Sequence, residues 1–196
     1  MHKPLAADAR PLTIYLAGPD VFRVDAIEHG RRLTALCEAY GFSGLYPLDV
    51  ELAKGAAETS PDALEDAPPD PRHAQAQAIY RANIGLLRSA DLLMANLQHF
   101  RGPEPDSGTV FEVGFAVALG KPVWGYGVPS GKIVDHVPRN AQGRDAHGYL
   151  VEDFGHGRNL MLAVPVSFVA GDAAACLAAM REHYRGARAA AFDAGR

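Results

Sequence analysis

The chain is poor in the residues that build cross-linked or metal-clipped folds. It has 196 residues and two cysteines, Cys37 and Cys176. These lie far apart and form no CxxC pair, so neither a disulfide framework nor a zinc ribbon follows. Reduced thiols on helices suit a cytoplasmic location, which is the expectation. The eight histidines are scattered without an HExxH pair, so no metal and no other cofactor is expected. Positive charge is not in surplus: the formal net charge is -4, which argues against nucleic acid as a partner. No apolar run reaches the roughly 20 residues needed to cross a bilayer, so no membrane partner is expected either. The segment 1–10 lacks the apolar centre of a signal peptide and reads as a loose tail. No complete GxGxxG follows the first apolar run. Gly125-x-Gly127-x-x-x-Gly131-Lys132 misses the phosphate-loop spacing, with Ile133 where Ser or Thr is required.

What remains is an ordinary globular composition, with 48% apolar residues in a length that suits one domain over 1–196. Short apolar runs at Leu12–Ala17, Phe42–Pro47, Asp91–Leu97, Pro122–Tyr126 and within Leu160–Val169 read as strands. Helical spacing covers Asp25–Tyr40, Ala74–Ser89, the segment from Gly108 to Gly120, and Asp172 onward. On the second of these helices, Tyr80, Ile84 and Leu87 are expected to point inward. Residues 53–73, rich in Ala, Pro, Asp and Glu, read as a long mobile loop. Residues 127–158 read as irregular. Alternating strand and helix predict an α/β fold: a three-layer αβα sandwich around a roughly five-stranded parallel sheet, flavodoxin-like or Rossmann-like. Ligands of such sheets bind at the carboxyl ends of the strands. Gly18-Pro19, Asp49 and the loops after Leu97 and Tyr126 are predicted to share that edge.

One residue stands out. Glu112 lies in Gly-Thr-Val-Phe-Glu-Val-Gly-Phe-Ala-Val-Ala-Leu-Gly, a helix that reads as apolar nearly all round and therefore buried. An ionised carboxylate there is costly unless it is paired, hydrogen-bonded or open to a cleft. Capping is one explanation: Asp106 or Thr109 as N-cap, with Thr109-x-x-Glu112 at capping-box spacing. A catalytic carboxylate is the other. Three more residues carry two readings each. Asp91 is a helix-to-strand turn residue or an acid-base group, Tyr15 a core phenol or a hydrogen-bond donor, Asn159 a turn amide or a ligand. Phe22 and Phe100 are core aromatics or platforms for stacking.

These segments, taken in order, resemble the nucleoside 2-deoxyribosyltransferases. The resemblance runs through Ile14-Tyr15-Leu16-Ala17-Gly18-Pro19, Ala90-Asp91 to Asn96, and Phe100-Arg101-Gly102-Pro103. It is strongest at Asp106-Ser107-Gly108-Thr109-Val110-Phe111-Glu112-Val113-Gly114, followed by Ala118-Leu119-Gly120-Lys121-Pro122, and returns at Asn159-Leu160-Met161. The resemblance implies transfer of 2-deoxyribose between purine or pyrimidine bases with retained configuration. Glu112 would be the nucleophile, Asp91 the group handling the base proton and Tyr15 the phenol orienting the nucleophile. Asp106 would bind the sugar hydroxyls. Asn159 and Met161 would be donated by a neighbouring subunit of a homo-oligomer. Gly18, Asp49 and Phe22 are further candidates for substrate contact. The partners implied are small deoxynucleosides and free nucleobases. A hydrolase acting on deoxynucleosides or their 5′-monophosphates is the alternative, but Asp20 beside the Gly-Pro turn would repel a phosphate.

Overall fold

The computed structural model describes residues 10–47 and 70–193, with side chains as far as 185. Asp49 and residues 53–69 of the expected loop lie outside the described residues. The elements are β1 (Thr13–Ala17), a 3-10 turn (Pro19–Phe22), α1 (Ala26–Ala39), β2 (Ser43–Leu45), α2 (Pro71–Ser89) and β3 (Leu92–Asn96). Then follow α3 (Ser107–Ala118), β4 (Val123–Tyr126), α4 (Ile133–His136), α5 (Leu160–Ala163), β5 (Ser167–Phe168) and α6 (Ala173–Asp193). The strands form a five-stranded sheet in the order β2-β1-β3-β4-β5, and every neighbouring pair is parallel.

The pleat of β1 and β3 divides the core in two. Ile14, Leu16, Leu92 and Met94 point to one face and pack with Leu33 and Cys37 of α1 and with Cys176, Leu177 and Met180 of α6. Tyr15, Ala17, Leu93 and Ala95 point to the other, against Leu87 of α2, Val113 and Ala116 of α3, and Leu162 of α5. Each fully buried aliphatic side chain contributes about 1.5–3 kcal/mol, and the central strands are buried on both faces, as the continuous apolar run of β3 predicts. Burial also pushes both thiols up, to about 12, so these cysteines are inert packing. α1 passes close over the chain beyond β2: a Cβ on Gly30 would lie 2.4 Å from the ring of Tyr46, so only glycine fits.

Three expectations need correction. α2 begins at Pro71, earlier than the expected Ala74, because Asp70 accepts from the Arg72 amide as N-cap and proline is tolerated in a first turn. Tyr80 does not point inward: it is 56% exposed and leans on Phe111 of α3, with centroids 6.2 Å apart. α3 is not buried all round. It buries Thr109, Val113 and Ala116, while Phe111 and Val117 are exposed. Residues 127–158 contain the short α4 and an antiparallel bridge between Arg144 and Leu150. Among the described residues no helix is long and apolar enough to cross a membrane.

In a sheet of order 2-1-3-4-5 the strand order reverses between β1 and β3, and the crevice at their carboxyl ends is where ligands bind. Here that edge carries Gly18 and Asn96, so close that a Cβ on Gly18 would lie 2.9 Å from that of Asn96.

Candidate active site

The site is built from β1 and from the helix that follows β3. Tyr15 is fully buried, on the face of β1 that meets α3, and its hydroxyl donates to Glu112 Oε1 at 2.5 Å. That length marks a charge-assisted bond. The side chain is therefore both a core phenol and a hydrogen-bond donor, which joins the two readings of the sequence. Glu112 Oε2 has no partner among the described residues.

Capping does not explain Glu112. The N-cap of α3 is Asp106, whose Oδ2 accepts from the Thr109 amide at 2.9 Å and from the Thr109 hydroxyl at 3.0 Å. Thr109 is inside the helix and Glu112 reaches away to Tyr15, so the alternative capping box does not form. Asp106 lies just ahead of the helix, and that placement brings its charge near Glu112. Its Oδ1 has no partner among the described residues. Burial pushes the Glu112 carboxyl up to about 7; the Tyr15 hydroxyl pulls it down and the Asp106 charge pushes it further up. Burial, and then the adjacent Glu112, push the Tyr15 phenol far above its ordinary range, so it stays a donor.

Asp91 is not brought to this pair. It precedes β3, at the amino-terminal edge of the sheet, opposite the edge where ligands bind. Arg10 grips both its oxygens, at 2.8 and 2.9 Å, and the amide and hydroxyl of Thr13 each donate to Oδ2 at 2.8 Å. Burial pushes this carboxyl up, but Arg10 and Thr13 outweigh it and hold it at about 2. It reads as a clasp between the starts of β1 and β3, and the helix-to-strand turn reading prevails.

The remaining residues gather at the carboxyl edge. Phe22 stacks on Phe100 with centroids 5.3 Å apart, and the Arg101 guanidinium lies over both rings. Phe22 is 58% exposed, an open platform rather than core. Asp20, expected to repel a phosphate beside the Gly-Pro turn, is buried; it accepts from the Asn96 side-chain Nδ2 at 2.9 Å and lies 3.4 Å from His29 Nε2. It fastens the turn after β1 to the end of β3. Asn159 caps α5 through the Met161 amide and donates to Glu152 at 2.9 Å. Met161 is 74% exposed. Among the described residues no group of three His, Cys, Asp or Glu is placed to hold a metal ion. Sequence reasoning missed Arg10, Glu152 and Arg158, none of which lies in a patterned motif. The Asp20–His29 pair is separated by a turn and by half a helix, and only the fold brings it together.

A family model for nucleoside 2-deoxyribosyltransferases matches residues 14–161. The chain belongs to this family. Its structure is similar to that of a 2-deoxyribosyltransferase from Leishmania mexicana, with a TM-score of 0.67 and 32% identity over 88% of this chain and 99% of that one. A 2-deoxyribosyltransferase from Bacillus psychrosaccharolyticus is more distant, at TM-score 0.40 and 19% identity, over 58% of this chain and 71% of that one. An uncharacterised protein of Schizosaccharomyces pombe is 32% identical over 124 residues, 63% of this chain. The chain spans about half the length of that curated relative, 53%. The family match runs from Ile14 to Met161, so every residue of the Tyr15–Glu112–Asp106 group falls inside it.

Two outcomes are expected. A carboxyl near 4.5 in the unfolded chain and about 7 in the folded one makes the folded state bind more protons across that window. Stability must therefore fall as pH rises through it. Urea denaturation between pH 5 and 8 should show that Glu112→Gln removes on the order of 1–3 kcal/mol of this fall; parallel pH profiles would contradict the burial of Glu112. Asp91→Asn should cost about 1–3 kcal/mol in the same assay at pH 7, since the stability from a depressed carboxyl is present above its unfolded value and lost only as pH falls toward 2. Catalytic turnover should change little, and loss of turnover at unchanged stability would restore Asp91 to the site.

Proposed function

We propose that the protein moves 2-deoxyribose between nucleobases by double displacement at Glu112. Glu112 Oε2 attacks C1′ of a 2′-deoxynucleoside. The C1′–N bond breaks, its electron pair leaves with the base, and the base takes up a proton from solvent. The sugar is then held as an ester on Glu112. A nitrogen of a second base attacks C1′ from the face the first one left, losing its proton and releasing the carboxylate, so two inversions restore the original configuration.

The observation that carries this reading is the Tyr15–Glu112 bond, with the second carboxylate oxygen left without a partner among the described residues. The phenol fixes the carboxylate rotamer, favours the ionised form and steadies the charge when Glu112 departs. Asp106, whose Oδ1 has no partner among the described residues, takes the sugar hydroxyls. Gly18 and Phe22 belong to the base side, with the Phe22–Phe100 stack as a platform for a flat ring. A 2-deoxy sugar lacks the electron-withdrawing 2-hydroxyl, so its cation-like transition state forms readily and the chemistry calls for no metal. Asp91 has no part in this scheme.

Asn159 and Met161 are read as reaching a neighbouring subunit's site. Tyr149, Leu150, Phe154, Met161 and Val164 are apolar side chains left exposed along the same stretch of chain, which supports a homo-oligomer with shared sites.

The test is chromatography of the protein incubated with deoxyinosine and free adenine. Deoxyadenosine should form faster than free deoxyribose, and Glu112→Ala should abolish turnover while nucleoside still binds. Free deoxyribose released at one rate with and without adenine would replace transfer by hydrolysis.

A further inference from the structure

Arg158 is 1% exposed, and among the described residues it has no carboxylate within ion-pair distance. A buried guanidinium in that state is expensive unless its donors are fully used. They are used on main-chain oxygens. Nε and Nη2 donate to the Leu97 carbonyl at 3.2 and 2.7 Å. Nη1 donates to the carbonyls of Pro103 and Gly157, both at 3.2 Å. Glu104 is the charge that favours its ionised form from a distance.

The carbonyls gripped in this way are informative. Leu97 directly follows β3, and Pro103 lies three residues before Asp106. Between them the chain turns tightly, with the Phe100 amide bonded to the Glu104 carbonyl at 3.0 Å. At its tip Arg101 has φ 55 and Gly102 has φ 152. A non-glycine residue in the left-handed region persists only where its surroundings over-determine it. Arg158 closes both ends of this loop at once. On its other side it adjoins Asn159, the N-cap of α5, and α5 packs through Leu162 into the same core as Val113 and Ala116 of α3. The preceding residue, Gly157, runs so close to the loop after β4 that a Cβ on it would lie 3.0 Å from the Gly131 carbonyl.

We propose that Arg158 is a positioning residue of the active site: its planar fork holds the 98–106 loop so that Asp106 is presented to the sugar beside Glu112. This rests on the deoxyribosyl transfer proposed above, and deepens it. Lysine keeps the charge but has no fork with which to span the Leu97 and Pro103 carbonyls. A small displacement of a substrate-holding group is enough to cost on the order of tenfold to a hundredfold in kcat/KM.

The experiment is a double-mutant cycle on Arg158→Lys and Asp106→Asn, with kcat and KM for the deoxynucleoside, together with amide hydrogen exchange. Arg158→Lys alone should lower kcat/KM at least about tenfold, mainly through KM. In the Asp106→Asn background it should cost less than about twofold, because coupled residues are non-additive. Exchange should quicken over residues 98–106 and stay unchanged in β1, β3 and α3. Additive losses, or exchange that quickens across the whole domain, would overturn the proposal by reducing Arg158 to general stability. If the wild-type protein neither transfers nor hydrolyses deoxynucleosides, the proposed function falls. The exchange arm then decides alone: unchanged protection of 98–106 in Arg158→Lys would overturn the anchoring itself.

Discussion

The hydrogen bond from Tyr15 to Glu112 is the interaction on which the functional reading depends. It joins a buried phenol on the central strand to a carboxylate on an apolar helix, at 2.5 Å. Two opposed effects meet there. Burial disfavours the charge, and the phenol favours it; the balance leaves the carboxyl near 7, poised between its two forms at neutral pH. An exposed glutamate would be ionised but ringed by water. A buried one without a donor would be protonated and inert. The pairing gives a half-buried carboxylate with one oxygen held and the other without a partner among the described residues, the state that the proposed attack on a sugar carbon calls for.

The fold supplies this pairing through simple rules. The pleat of β1 sends Tyr15 to the face covered by α3, while its neighbours Ile14 and Leu16 go to the other core. α3 follows β3 after a loop, and Asp106 at its N-cap fixes where the helix begins. From that start the helical repeat brings Glu112 over Tyr15. The two acids that flank the sheet have opposite fates for the same reason. Asp106 lies at the carboxyl edge of the sheet, whereas Asp91 lies at the amino edge and is consumed by Arg10 and Thr13.

Much of this was legible in the sequence where the signal is local. Alternating strand and helix implied the parallel sheet, and the lone carboxylate in Gly108–Gly120 marked Glu112 before any geometry was known. Residues whose role depends on which edge they occupy were harder. Asp91 reads as an acid next to a strand, and nothing in its neighbours says that Arg10, far away in sequence, closes over it. Tyr80 follows the helical period toward the core, yet its end of α2 has little packed under it among the described residues. Arg158 sits in a glycine-rich stretch without periodicity, and its partners are carbonyls, which leave no trace in a sequence. The start of α2 was missed for a plainer reason: Pro71 resembles the prolines before it, and only the cap at Asp70 shows that it opens a helix.

The most direct test is to trap the sugar on the enzyme. The protein would be mixed with a 2′-deoxynucleoside in the absence of acceptor base, quenched in acid and digested, and its peptides read by mass spectrometry. The account predicts a deoxyribosyl adduct on the peptide that contains Glu112, lost in Glu112→Gln and discharged when free base is added before the quench. An adduct on another residue, or one that persists in Glu112→Gln, would contradict it.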